Sequence, residues 1–142
     1  MARFQVTFDC ADADRQAEFW AAAIGYQVQP PPAGYESWQA FLEANGIPYE
    51  AGSASAIVDP DGVGPRFYFQ RVPEPKTTKN RVHLDLNVPA GSQVSAEERR
   101  TLVLAEVQRL VDLGAQQHRP VEQNGEFWVV MSDPEGNEFC VQ

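Results

Sequence analysis

The chain has 142 residues, 43% of them hydrophobic, 11% aromatic and 22% charged, a composition that suits a folded core and is too apolar for disorder. Eleven Lys and Arg against 20 Asp and Glu give a net charge of -9; that sign opposes phosphate backbones and anionic bilayers, so neither nucleic acid nor a membrane is an expected partner. No apolar run approaches the roughly 20 residues that span a bilayer, the start Met1-Ala2-Arg3-Phe4 leads into no signal-peptide core, and Cys10 and Cys140 stand far apart, so unbridged thiols in the cytoplasm are expected.

Residues 4–10 alternate, with Phe4, Val6, Phe8 and Cys10 on one face and Gln5, Thr7 and Asp9 on the other, which is the period of a strand. A helix capped by Asp12 or Asp14 follows, its Phe19, Trp20, Ala23 and Ile24 recurring at helical spacing before Gly25 ends it. Residues 26–29 form a short strand stopped by Pro30-Pro31-Pro32, and residues 36–44 a helix with Trp38, Phe41 and Leu42 on one side. Residues 54–58 and 67–72 are strands separated by the turn Asp59-Pro60-Asp61-Gly62.

The order then repeats. Residues 81–88 alternate, Val82, Leu84, Leu86 and Val88 against Arg81, His83, Asp85 and Asn87. The capping box Ser95-x-x-Glu98 opens a helix striped by Val103, Val107, Leu110 and Val111 and closed at Gly114. Strands follow at 115–118, 127–131 and 138–141, with turns at Asn124-Gly125 and Asp133-Pro134-Glu135-Gly136. A strand-helix-strand-strand-strand order occurring twice, each time with an Asp-Pro-acid-Gly turn before the last strand, marks an internal repeat. Two such halves side by side make one curved sheet with helices outside and a cleft inside, lined by the polar faces of both.

Four segments carry a family resemblance: residues 8–26, from Phe8-Asp9-Cys10 through Phe19-Trp20 to Gly25-Tyr26; Pro65-Arg66-Phe67-Tyr68-Phe69-Gln70-Arg71-Val72-Pro73; Lys79-Asn80-Arg81-Val82-His83-Leu84-Asp85-Leu86; and Asp133-Pro134-Glu135-Gly136-Asn137-Glu138-Phe139-Cys140. Over nearly its whole length the chain resembles the vicinal oxygen chelate superfamily, and within it the glyoxalase-like domains related to bleomycin-resistance proteins. The resemblance implies an α+β fold of tandem βαβββ modules, one domain over residues 1–142 with a first module at 1–73, a linker at 74–78 and a second module at 79–142. It also implies a metal site with ligands from the first and last strands of each half. Carried over by position these are Gln5, Gln70, His83 and, in the last strand, Cys140, where the family usually has glutamate. Glu138, two residues earlier on the same face, is the nearest acid, so the expected set is Gln5, Gln70, His83 and Glu138. Neutral amides and a thiol suit hard ions poorly, and the ion expected, where one is held, is Zn, Ni, Fe or Mn.

Two functions stay open. The first is metal-assisted lyase, isomerase or dioxygenase chemistry on a small organic molecule, with His83 and Glu138 as catalytic groups and Thr7, Asp9, Trp38, Tyr68, Asp85 and Cys140 in contact with substrate. The second is a metal-free protein that sequesters a drug or metabolite. Against each chemical role stands a plain one: His83 hydrogen-bonded to Asp85, Gln5 or Gln70; Asp9 and Asp85 paired across the sheet; Trp38 on a covering helix; Cys140 as filler. The resemblance further implies a homodimer. No Walker loop, dinucleotide fingerprint, nucleophile elbow or Cys-x-x-Cys pair is present.

Overall fold

The opening alternation becomes strand β1 (Gln5–Cys10), and the aspartate after it starts helix α1 (Ala13–Ile24) by accepting the N–H groups of Asp14 and Arg15 at 3.1 Å each. This computed structural model describes residues 3–90 and 93–142. The chain divides into two units, one ending at Pro75 and the other spanning Lys76–Gln142.

In the first unit β2 (Gln27–Val28), α2 (Trp38–Ala44), β3 (Ala54–Val58) and β4 (Arg66–Arg71) follow α1. The four strands form a sheet in the order β1-β4-β3-β2, with β1 and β4 parallel and the other pairs antiparallel. A parallel pair needs a long crossover, and α1 begins it before packing back on the sheet. Trp20, Ile57 and Phe69 are almost wholly buried, and the Phe8 ring sits 5.3 Å from the rings of both Trp20 and Phe69. Phe8, Phe67 and Phe69 therefore face α1, and alternation turns Gln5, Thr7, Asp9, Arg66, Tyr68 and Gln70 to the opposite face.

The second unit repeats the order with β5 (Leu84–Leu86), α3 (Ala96–Asp112), β6 (Gln116–Gln123), β7 (Glu126–Ser132) and β8 (Glu138–Val141). Its sheet runs β5-β8-β7-β6, again with the first and last strands parallel. Both bonds of the predicted Ser95–Glu98 capping box form. Val103, Val107 and Leu110 of α3 are buried, as are Val129, Met131, Phe139 and Val141 of the sheet on which it packs.

The two Asp-Pro turns have the same construction. Gly62 and Gly136 sit at φ 69° and 89°, conformations that side chains with a Cβ rarely adopt, and each donates its N–H to the turn aspartate's carbonyl at 3.0 Å. Asp133 is 1% exposed and its carboxylate accepts the N–H groups of Glu135 and Asn137 and the Asn137 side-chain amide. Asp59 accepts the N–H groups of Asp61, Val63 and Gly64. These bonds, led by that of Gly64, hold its carboxyl below the ordinary range despite partial desolvation.

Several expectations shift. The strand predicted over 81–88 is only Leu84–Leu86, and Val82, predicted to face inward, is 80% exposed because it lies outside the ladder. Phe4 likewise precedes β1 and is 71% exposed. Val111 is 37% exposed because it sits one residue round the helix from Leu110, off the buried stripe. β6 continues through Pro120, which an edge strand tolerates.

Candidate functional site

In the second unit the parallel register sets Asp85 beside Cys140, both on the face away from α3. His83, just before β5, places its Nε2 3.1 Å from Asp85 Oδ1. One ligand atom from each of His83, Asp85 and Cys140 lies within 4.8 Å of the others. His83 and Asp85 are open to solvent and Cys140 is half-buried. Burial pushes the Cys140 thiol up, the Asp85 charge and its hydrogen bond to the thiol push the same way, and Lys79 and Arg119 oppose them in part.

Glu138 is engaged differently. Its Oε2 accepts the Asn80 N–H at 2.9 Å and lies 3.3 Å from Lys76 Nζ. Desolvation raises this carboxyl, but the N–H groups of Asn80 and of Glu138 itself, with the Lys76 ammonium, outweigh it and leave the group below its usual value. Among the described residues Glu138 is not part of the His83 cluster. Neither Cys10 nor Cys140 is in a disulfide.

The first unit carries the other expected residues on the sheet face away from α1. Gln5 registers with Arg66, Thr7 with Tyr68 and Asp9 with Gln70, so Gln5 and Gln70 stand at opposite ends of the β1–β4 pair. Gln5 Oε1 accepts Arg66 Nη1 at 2.9 Å, and Gln70 Nε2 donates to Asp9 Oδ1 at 2.7 Å. Trp38 caps the end of β2 by donating its indole N–H to the Gln29 carbonyl at 2.8 Å, with its ring edge-on to Phe41 at 5.7 Å.

Arg66 and Gln29 are not among the site residues expected from sequence, where the fourth strand begins at residue 67. Continuing the alternation back from Gln70 and Tyr68 reaches Arg66. His118 gains its place from a bulge between Gln117 and Arg119, which brings its Nε2 2.9 Å from Ser132 Oγ. Further along the second sheet a cavity of about 540 Å³ opens beside the start of α3, under Phe127, Trp128 and Arg100. The Arg100 guanidinium lies over the Phe127 ring and is bonded to Glu122.

Two βαβββ units with polar residues gathered on the uncovered sheet faces define the class. Residues 5–142 match the family described as a glyoxalase-like domain, and the chain belongs to that family. No curated protein matches the chain. Among solved structures it is similar to a glyoxalase/bleomycin resistance protein/dioxygenase family enzyme from Burkholderia phytofirmans PsJN, at 17% identity, 96% of this chain, 94% of that one and a TM-score of 0.60. The hypothetical protein SA1046 from S. aureus is similar at 15% identity, 99% and 96% coverage and a TM-score of 0.58. A fosfomycin resistance protein, FosX, from Listeria monocytogenes, solved as an E126Q mutant with Mn(II) and 1S,2S-dihydroxypropylphosphonic acid, is similar at 11% identity, 97% and 86% coverage and a TM-score of 0.59. These likenesses show the α+β fold. Among the described residues no helix is long and apolar enough to cross a membrane.

Proposed function

We propose that this glyoxalase-like domain binds a small organic molecule on the polar sheet faces and holds a divalent ion, zinc before nickel, iron or manganese, at His83, Asp85 and Cys140. The observation that carries the reading is the approach of an imidazole, a carboxylate and a thiol to within 4.8 Å of one another. A nitrogen, oxygen and sulfur donor set fits zinc, and the thiol moves the preference away from hard ions. Of the ligand set expected from sequence the proposal keeps His83. Gln5 has its carbonyl oxygen on Arg66 and Glu138 has its carboxylate on Asn80 and Lys76, so Asp85 and Cys140 are the better companions. The Mn(II) and 1S,2S-dihydroxypropylphosphonic acid in the FosX structure, a protein of similar fold, support an ion and a small polar ligand here.

A bound zinc supplies Lewis-acid polarisation of a ligand oxygen. The chain's own contributions are separate. With no ion bound, Asp85 orients the His83 ring and accepts from the Cys140 thiol, which would give up its proton on ligating zinc. Glu138, held below its usual value beside Asn80 and Lys76, is the candidate proton acceptor of the second unit, and Thr7, Asp9, Tyr68 and Trp38 are the candidate polar and aromatic contacts of the first. The proposal places the protein in the cytoplasm as a homodimer. Metal analysis of protein purified without a nickel column, followed by zinc titration of wild type, His83→Ala, Asp85→Asn and Cys140→Ser, tests the metal. About one equivalent of zinc per chain is expected, held at least about tenfold more weakly in the variants; no binding at tens of micromolar sinks the metal reading. A metal-free binder is the second reading, favoured by the neutral Gln5 where the resemblance implies a ligand. It predicts small-molecule affinity that survives excess chelator.

A further inference from the structure

On the sheet face of the first unit one cation, Arg66, has no carboxylate among its described contacts, the Asp9 carboxylate on that face being bonded to Gln70 instead. Among the described residues Arg66 is the one arginine that is not exposed. Arg71, Arg100 and Arg109 each pair with a glutamate. Arg66 instead donates Nε–H to Gln29 Oε1 at 2.8 Å and Nη1–H to Gln5 Oε1 at 2.9 Å, and its guanidinium lies 5.2 Å from the centroid of the Tyr68 ring. A guanidinium has five N–H donors in a rigid fork, and these two bonds use Nε–H and one hydrogen on Nη1.

Two neutral amides from β1 and the end of β2 thus fix the plane of the fork, and an aromatic face supports it. None of these groups neutralises the charge. In a chain of net charge -9 carboxylates are plentiful, and partly desolvating a cation without one costs free energy that amide oxygens recover only in part. An oriented, stacked and uncompensated guanidinium is how proteins receive carboxylate or phosphate oxygens in bidentate fashion. Thr7 registers with Tyr68 on the same face.

We propose that Arg66, oriented by Gln5 and Gln29 and stacked on Tyr68, is the receptor for the anionic oxygens, carboxylate or phosphate, of a small ligand. This rests on the small-molecule reading above and not on its metal. Gln5 and Gln29 are positioning residues.

The test follows the Arg66 Nε–H signal and the backbone amides of Thr7 and Tyr68 by NMR. Wild type, Arg66→Lys, Arg66→Gln and Gln29→Ala are titrated with inorganic phosphate and with acetate at constant ionic strength. Wild type shifts saturably with phosphate, acetate or both, which names the oxyanion class. Arg66→Lys keeps charge but not the fork and binds at least about tenfold more weakly, the effect of one charge-assisted hydrogen bond. Arg66→Gln shows no saturable shift, and Gln29→Ala retains binding with a broadened Nε–H signal and a weaker affinity. Well-dispersed spectra certify that each variant is folded. No saturable shift with either anion in wild type, or equal shifts in wild type and Arg66→Gln, overturns the proposal. Because zinc titration reads the other unit, either result leaves the metal reading to its own test.

Discussion

Replacing Asp133 by alanine gives a direct measure of what delivers β8 to the candidate site. The Asp133 carboxylate, 1% exposed, accepts from the Glu135 N–H at 2.9 Å, the Asn137 N–H at 3.0 Å and the Asn137 side-chain amide at 2.9 Å. Hydrogen bonds to a charged acceptor contribute about 1.5–3 kcal/mol each, and truncation also leaves the donors unpaired unless water enters. With water recovering part of that loss, Asp133→Ala should cost about 3–5 kcal/mol, a large share of the about 5–15 kcal/mol typical of a small protein. Asp133→Asn keeps one acceptor oxygen for the two backbone donors and should lose about half as much. Asp59→Ala, at the matching but less buried turn, should lose less than Asp133→Ala. Urea unfolding followed by circular dichroism reads all three. A change within about 1 kcal/mol of wild type for Asp133→Ala, or a larger loss at Asp59, refutes the view that burial sets the worth of the two turns.

Other outcomes follow from single contacts. Phe69→Ala removes a wholly buried ring packed against Phe8 and should cost about 3–5 kcal/mol in the same assay. Ser95→Ala removes the side-chain half of the capping box and should lower stability by about 1 kcal/mol, measured by thermal melting. The depressed Glu138 carboxyl contributes stability above its unfolded value and loses it as pH falls through its lower folded value. Glu138→Gln should therefore flatten the acid side of the stability–pH profile, and an unchanged acid limb tells against the Asn80 and Lys76 contacts. Cys140→Ser should weaken zinc binding by at least about tenfold, since a hydroxyl is a poorer zinc donor than a thiolate; isothermal titration calorimetry gives the ratio.

Local chemistry was legible where it acts alone. Asp12 or Asp14, of which the structure selects Asp12, and the Ser95–Glu98 pair announced both long helices because caps satisfy N–H groups within a few residues. Likewise the period of residues 5–10 gave β1 its two faces. The repeat, with its paired Asp-Pro turns, announced the βαβββ order, and the resemblance of four segments pointed to the glyoxalase-like family. Where neighbours in the ladder decide, the pattern misled: alternation ran on through Val82, yet β8 supplies partners only for Leu84–Leu86.

The sequence by itself determined the elements, their caps, the repeat and which residues of each strand share a face, since those depend on dihedral preference and periodicity close along the chain. Only the tertiary structure decided which of those residues meet. Parallel pairing of β5 with β8 brings Asp85 to Cys140 across 55 positions, and β1–β4 pairing brings Gln5 to Arg66 across 61. Register between distant strands is fixed by core packing and hydrogen-bond geometry over the whole sheet, and no local spacing encodes it.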